Sequence, residues 1–258
     1  MKVLKKVYVL FLKKLELGSA VAVRLTKLTG KSEIPIHPKH FLTKNPWFTN
    51  YISKKDVVLD LGCGNGQNTF KAAKKAKKVI GVELDDALLK FAKKTATTKK
   101  LQNVIFTKAD LEKRLKYKSD YFNKVLFLDV LEHLLNRNQI LDEIKRVLKP
   151  GGLLFLGVPN KETSWKKIQR AVGVCSYSDP DHKIEYSGKE ISNLLNSHKF
   201  KIRYFGYGKF DTPLRGIFDI IGSISIPLYK KITKWREELT KKNPNEASGF
   251  EIVAANRK

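Results

Sequence analysis

The residues best suited to chemistry lie in the run Val57-Val58-Leu59-Asp60-Leu61-Gly62-Cys63-Gly64-Asn65-Gly66, an apolar stretch that meets an acid and then three alternating glycines. Glycine is needed where a side chain would hold the backbone away from a ligand lying across a strand end. The spacing is G-x-G-x-G, whereas dinucleotide loops read G-x-G-x-x-G and rest a pyrophosphate on a helix N-terminus. Asp60 points the same way, because a carboxylate repels a pyrophosphate and attracts a cationic amino acid moiety. By itself such a loop leaves the nucleotide cofactor open. A second acid, Glu83, closes the next apolar run, and a third, Asp110, follows the one after. These ordered acids narrow the ligand to an adenosine with a positively charged tail. Cys63 reads as a small residue filling the turn, and the alternative for Asp110 is that it merely caps a short helix.

Holding these residues in order requires alternating strands and helices. Val57–Leu61, Val79–Leu84, Val104–Thr107, Lys124–Leu128 and Leu153–Val158 read as strands. Helical patterns run to Lys77, from Asp86, and over Gln139–Leu148, where Pro150-Gly151-Gly152 stops the last. A helix over Gly188–Ser197 and strands over Phe200–Tyr207 and Phe250–Ala255 complete the pattern. Such alternation implies an α/β fold with a mostly parallel sheet. A chain of 258 residues can bury one sizeable core with modest additions. The expected organisation is an N-terminal extension and linker over 1–50 and one domain over 51–258, with insertions at about 160–186 and 209–245.

The motifs then become specific. Asp60-Leu61-Gly62-Cys63-Gly64-Asn65-Gly66 resembles motif I of class I S-adenosylmethionine-dependent methyltransferases. Asp129-Val130-Leu131-Glu132-His133-Leu134 and Leu148-Lys149-Pro150-Gly151-Gly152 are similar to segments of the branch that includes ubiquinone-biosynthesis and related small-molecule methyltransferases. The likeness covers roughly 57–159 and weakens through Phe200. It implies a Rossmann-like seven-stranded sheet with helices on both faces and S-adenosylmethionine as cofactor. It further implies a cofactor site of Asp60, Gly62, Cys63, Gly64, Asn65, Gly66, Glu83, Leu84, Ala109, Asp110, Leu111, Leu128 and Asp129. Within that site Glu83 would take the two ribose hydroxyls, and one carboxylate can accept both protons. Asp110 would take the adenine amino group.

Methyl transfer from a sulfonium needs little beyond alignment, which contributes about 7–11 kcal/mol. A hydroxyl acceptor also needs a base, and histidine suits that role. The candidates are His133 and His182, the latter in Asp179-Pro180-Asp181-His182-Lys183-Ile184-Glu185-Tyr186-Ser187, a segment similar to the lid side of ubiquinone-type enzymes. His182 is expected over the acceptor pocket as base or substrate contact. Glu132 could be a solvated or capping acid, and His133 a packed side chain. No metal cluster is legible.

Composition bears on partners. With 51 Lys and Arg against 25 Asp and Glu, the formal charge is +26, which favours polyanions or an anionic surface. The lysines are spread over every expected helix, as compositional drift would leave them. Two cysteines, Cys63 and Cys175, are too few for a disulfide framework or a zinc site, which fits a cytoplasmic setting. Leu4, Val7, Tyr8, Phe11, Leu12 and Leu15 make an apolar stripe on a basic helix over 1–17. A second apolar band runs through Leu214, Ile217, Phe218, Ile221, Ile224, Leu228 and Ile232. Both suit either the face of an anionic bilayer, giving a peripheral protein with an apolar or lipid-linked acceptor, or, for the band, a lid packed on the enzyme's own pocket. An RNA methyltransferase would explain the charge, but there is no appended RNA-binding module and no N/D-P-P-Y/F after the fourth strand. A non-catalytic protein keeping the fold is the remaining alternative, and the intact cofactor residues weigh against it.

Overall fold

The computed structural model describes residues 2–43 and 45–258; Met1 of the expected first helix and Lys44 of the expected linker lie outside the described residues. In chain order the elements are α1 (Lys2–Glu16), α2 (Gly18–Leu28), β1 (Val57–Leu61), α3 (Gln67–Ala73), β2 (Lys78–Glu83), α4 (Asp86–Thr98), β3 (Val104–Lys108) and β4 (Phe122–Leu128). They continue with α5 (Arg137–Val147), β5 (Leu148–Pro159), α6 (Ser164–Ala171), α7 (Gly188–Ser197), β6 (Phe200–Tyr207), α8 (Arg215–Ile224), α9 (Ile226–Lys242) and β7 (Gly249–Asn256). The chain divides into two compact units.

The sheet unit comprises Asn45–Pro159, Asp181–Gly206 and Phe250–Lys258. Its seven strands lie in the order β3-β2-β1-β4-β5-β7-β6, and the pairings among β1 to β5 are parallel. Period-two alternation explains why helices cover both faces. Leu59, Leu61, Val125, Phe127, Leu154 and Leu156 point to one face, where Ile140, Leu141 and Ile144 of α5 and Ile191 and Leu195 of α7 bury them. Val58, Val79, Leu126 and Phe155 point to the other, under Phe48, Ile52 and the α3 alanines Ala72 and Ala73. Each such side chain contributes about 1.5–3 kcal/mol on burial. Asp85 caps α4 by accepting from the Leu88 amide, and Ser187 and Glu190 form a capping box that starts α7. Strand β5 begins five residues earlier than its apolar run suggests. Leu148 pairs with Phe122 and the register then shifts, so Pro150-Gly151-Gly152 is accommodated inside an irregular strand start.

The helical unit comprises Met1–Lys44, Asn160–Pro180 and Tyr207–Gly249. Helix α8 packs on the junction of α1 and α2 through glycine: a Cβ on Gly216 would collide with the Leu15 carbonyl oxygen and stand 2.9 Å from the Gly18 nitrogen, so only Gly permits this approach. Val9 of α1 packs with Trp165 and Val174. The buried Glu16 carboxylate accepts from Trp165 Nε1, Arg215 Nη2 and, at 3.1 Å, Lys13 Nζ. Asp219 accepts from Ser19 and Tyr229, each at 2.6 Å, and lies 3.3 Å from His37 Nε2. Burial would push its pKa up, but the His37 contact and the two hydroxyls override this and hold it at about 2.

The two apolar bands of the sequence lie differently in this unit. On α1, Leu4, Val7, Tyr8 and Phe11 are 57–74% exposed. At 3.6 residues per turn the stripe lies roughly opposite Val9 and Glu16, which are buried. The second band is two helices, and much of their buried face is small or polar, with Gly216, Asp219, Gly222 and Ser223 from α8 and Thr233 and Arg236 from α9. Among the described residues no helix is long and apolar enough to cross a membrane.

Candidate functional site

The order β3-β2-β1-β4 reverses direction between β1 and β4, the switch point at which open α/β sheets bind ligands beyond their carboxyl ends. The glycine loop leaves β1 at this point. Gly62 has φ +67° and lies so close to the turn after β4 that a Cβ there would meet Val130 Cγ2 at 2.5 Å. Gly64 has φ +53°, and a Cβ there would meet nothing within 4 Å. The first glycine is therefore required by packing and the second leaves open space in front of the sheet. Cys63 continues the β1 ladder by donating its amide to Val82 O at 2.9 Å. Burial, then the nearby Asp60 and Glu83, push its thiol far above the ordinary range, so it is an inert turn residue. Asn65 is half-buried, and Gly66 starts α3.

Asp60 is 2% exposed and accepts from Thr69 Oγ1 at 2.5 Å. Burial raises its pKa to about 7, with the Glu83 charge adding to the rise and the Thr69 hydrogen bond opposing it. Thr69, in the first turn of α3, is therefore the hydrogen-bond partner of Asp60, and a hydroxyl in the first turn after the loop is the only sign of it in the sequence. Glu83 accepts from the Gly64 amide at 2.8 Å through Oε2 and from the Leu84 and Asp85 amides at 2.7 and 3.0 Å through Oε1. It ties the glycine loop to the end of β2. Leu84 is 55% exposed beside it.

At the end of β3 the Ala109 amide donates to Glu83 O at 3.2 Å. The Asp110 carboxylate accepts from the Glu112 amide at 2.9 Å and meets Lys113 at 3.2 Å, which holds its pKa below the usual carboxylate value. In this arrangement Asp110 caps its own turn. The Leu111 side chain belongs to the core. Leu128 is half-buried at the end of β4, and Asp129 follows with φ +58°, an unusual conformation for a residue with a side chain.

Beyond Asp129 the chain makes a short 3-10 turn, Leu131–His133. Here the structure unites residues that the sequence offered as alternatives. The amides of Lys183 and Ile184 donate to Glu132 O at 2.8 and 3.3 Å, pinning the 181–187 segment onto this turn. His182 and His133 meet edge to face with ring centroids 4.7 Å apart. His182 Nδ1 lies 3.0 Å from Glu185 Oε1, and its Nε2 faces Glu132 Oε1 at 3.9 Å. Glu132, treated as a solvated or capping acid, is 1% exposed. Glu185, three residues after His182, was not singled out; the i, i+3 spacing was its only sign.

A Rossmann-like sheet with its glycine loop at the switch point and acids ending β1 and β2 defines a domain for an adenosyl cofactor. The family described as "Methyltransferase domain" matches residues 52–205. YqeM of Bacillus subtilis (strain 168), which bears a methyltransferase name, is 27% identical over 174 residues, covering 64% of this chain and 68% of YqeM. A ubiquinone biosynthesis O-methyltransferase of Acinetobacter baumannii (strain ACICU) is 24% identical over 45% of this chain and 52% of its own length. The chain thus spans about half of that relative. Among solved structures, a SAM-dependent methyltransferase of Methanosarcina mazei aligns with a TM-score of 0.57 and 21% identity, over 82% of this chain and 97% of the other. The chain belongs to the Methyltransferase domain family, as a methyltransferase that uses S-adenosylmethionine. Its residues fit that cofactor: the space over Gly64 is open, and carboxylates end both β1 and β2.

Proposed function

We propose that the enzyme methylates a hydroxyl oxygen of a small, apolar or lipid-linked acceptor, with the cofactor at the Asp60, Gly62–Gly66, Glu83 and Asp110 ends of the sheet. The cofactor brings a methyl group already activated on a sulfonium, so the protein has to align the acceptor and handle its proton. The observation that carries the reading is the His133–His182 pair, backed by Glu132 and Glu185, on the turn that Val130 packs against Gly62. Two imidazoles with carboxylate partners suit a hydroxyl proton. The likeness to a ubiquinone biosynthesis O-methyltransferase favours oxygen over carbon as the accepting atom. The test is methyl transfer from labelled S-adenosylmethionine to a panel of hydroxylated apolar compounds. His182→Ala is expected to lower kcat/KM by at least about 100-fold. Unchanged turnover and acceptor affinity in that variant would refute the reading.

A second feature favours work at an anionic bilayer. Leu4, Val7, Tyr8 and Phe11 are exposed on a helix that also exposes Lys5, Lys6 and Lys14. Apolar side chains flanked by lysines match the boundary between acyl chains and anionic headgroups. Flotation with phosphatidylserine vesicles at low salt should carry the protein upward, and Val7→Glu with Phe11→Glu should abolish this. Wild-type protein that stays at the bottom would rule the membrane out. RNA binding stands lower, because the lysines are spread along the whole sequence and no RNA-binding motif accompanies them.

A further inference from the structure

We propose that Glu132, His133 and His182 form a binding site for a divalent first-row transition-metal cation, with zinc the best match, and that Glu185 is its outer partner. Each of the three offers one ligand atom, and these atoms lie within 4.8 Å of one another. Ligands 2.0–2.2 Å from one ion stand about 3.4 Å apart in a tetrahedron. Small ring rotations therefore close the set. Two imidazoles and one carboxylate are the donors of sites that keep an open position for a substrate oxygen. Imidazole nitrogen selects against magnesium and calcium, which prefer oxygen alone.

Three further observations point the same way. The Glu185 carboxylate sits on His182 Nδ1 at 3.0 Å, which fixes the ring so that Nε2 turns toward Glu132, 3.9 Å away. A carboxylate on the far nitrogen of a ligating histidine is the usual support of such sites, because it sets tautomer and basicity together. Glu132 and Glu185 are each 1% exposed, so two carboxylates are withdrawn from water beside two imidazoles. Finally, the backbone is committed to this geometry: Asp129 adopts φ +58° at the start of the turn, and two amides of the His182 segment are bonded to Glu132 O.

The use of such an ion rests on the hydroxyl acceptor proposed above, whereas the site itself does not. An acceptor hydroxyl bound at the open position would have its pKa lowered and release its proton to water before the oxygen forms its bond to the methyl carbon and the carbon–sulfur bond breaks. His182 would then act on the acceptor through the ion.

The test is direct metal binding. Full-length protein stripped with a chelator and freed of it is titrated with Co2+, read by visible absorption, and with Zn2+, read by calorimetry, with Mg2+ as control. The expected result is one ion per chain at micromolar concentration or tighter and little response to Mg2+. Glu185→Gln should weaken binding about 10- to 100-fold without removing a ligand. His133→Ala with His182→Ala should abolish it in protein whose circular dichroism remains native. Absence of stoichiometric binding by the wild type, or binding unaltered in the double variant, would overturn the proposal. Methyl transfer to carbon alone would overturn the oxygen acceptor and leave the metal site standing.

Discussion

Replacing either of two neighbouring glycines with alanine should separate folding from cofactor binding. Both Gly62 and Gly64 have positive φ, so alanine at either position carries left-handed strain of about 1–2 kcal/mol. At Gly64 that is the whole cost to the free protein, since the new methyl meets nothing within 4 Å. For a chain of this size the thermal midpoint should fall by about 2–8 °C. At Gly62 the methyl would be 2.5 Å from Val130 Cγ2 and 3.0 Å from Cγ1. Overpacking adds about 1–3 kcal/mol, for a total of about 2–5 kcal/mol and a midpoint about 4–20 °C lower. Binding should rank the other way. The Gly64 methyl enters the space assigned to the cofactor, and a steric cost of about 1–3 kcal/mol there weakens binding about 5- to 150-fold. Calorimetric titration with S-adenosylhomocysteine and a thermal melt measure both quantities on the same samples. Gly62→Ala combined with Val130→Ala should recover part of the lost stability, because the two residues share one contact. Binding by Gly64→Ala within twofold of wild type would mean that the cofactor does not cross the loop there.

The raised pKa of Asp60, about 7, has a definite sign. The folded chain holds a proton that the unfolded chain gives up near 3.8, so Asp60 ionisation lowers stability as pH rises from about 4 to 7 and adds no further slope above that. A cationic cofactor favours the carboxylate, so S-adenosylmethionine affinity should rise with pH, by up to about tenfold per unit, and level off near 7; calorimetry at three pH values should show this slope lost in Asp60→Asn. Asp219 behaves oppositely. Its pKa of about 2 gives stability present above about 4 and lost as pH falls toward 2. Asp219→Ala should therefore unfold about 3–5 kcal/mol more easily at neutral pH in denaturant titration and flatten the acid limb of the stability profile. Gly216→Ala forces a methyl against the Leu15 carbonyl and should destabilise the fold by more than the roughly 1 kcal/mol expected of an ordinary substitution, read as a fall in melting temperature.

Local patterns carried most of the sheet. Val57–Leu61 was legible to the residue, and Val79–Leu84 and Val104–Thr107 fell within one residue of β2 and β3, because runs of buried β-branched and aliphatic residues ending in turn signals are written in adjacent positions. Helices α6, α8 and α9 were less clear. The inward face of α8 is Gly216, Asp219, Gly222 and Ser223, α6 buries Lys166 and Gln169 beside Trp165, and α9 buries Thr233, Arg236 and Thr240 beside Tyr229, so no hydrophobic period marks them, and the α1 stripe that such a period does mark points outward. In the site, the glycine loop and the acids at strand ends could be read in order. The meeting of Glu132 with His182, fifty residues apart, could not, since it depends on how the 181–187 segment returns across the end of the sheet. Asp60's partner Thr69 was nearer but hidden by the same rule: spacing gives a helix face, and only packing chooses the hydrogen bond.

The three-part assembly of the helical unit bears on how the chain is made. Residues 2–43 emerge from the ribosome well before residues 207–249, whose Gly216, Arg215 and Asp219 complete their contacts. At about 5–20 residues per second that interval is roughly 10–40 s. Throughout it α1 and α2 lack the helix that fixes them, with the Leu4–Phe11 stripe already available to any apolar surface nearby. If that surface is a membrane, α1 would reach it before residues 207–249 are made, and the sheet that follows would fold while α1 is held there.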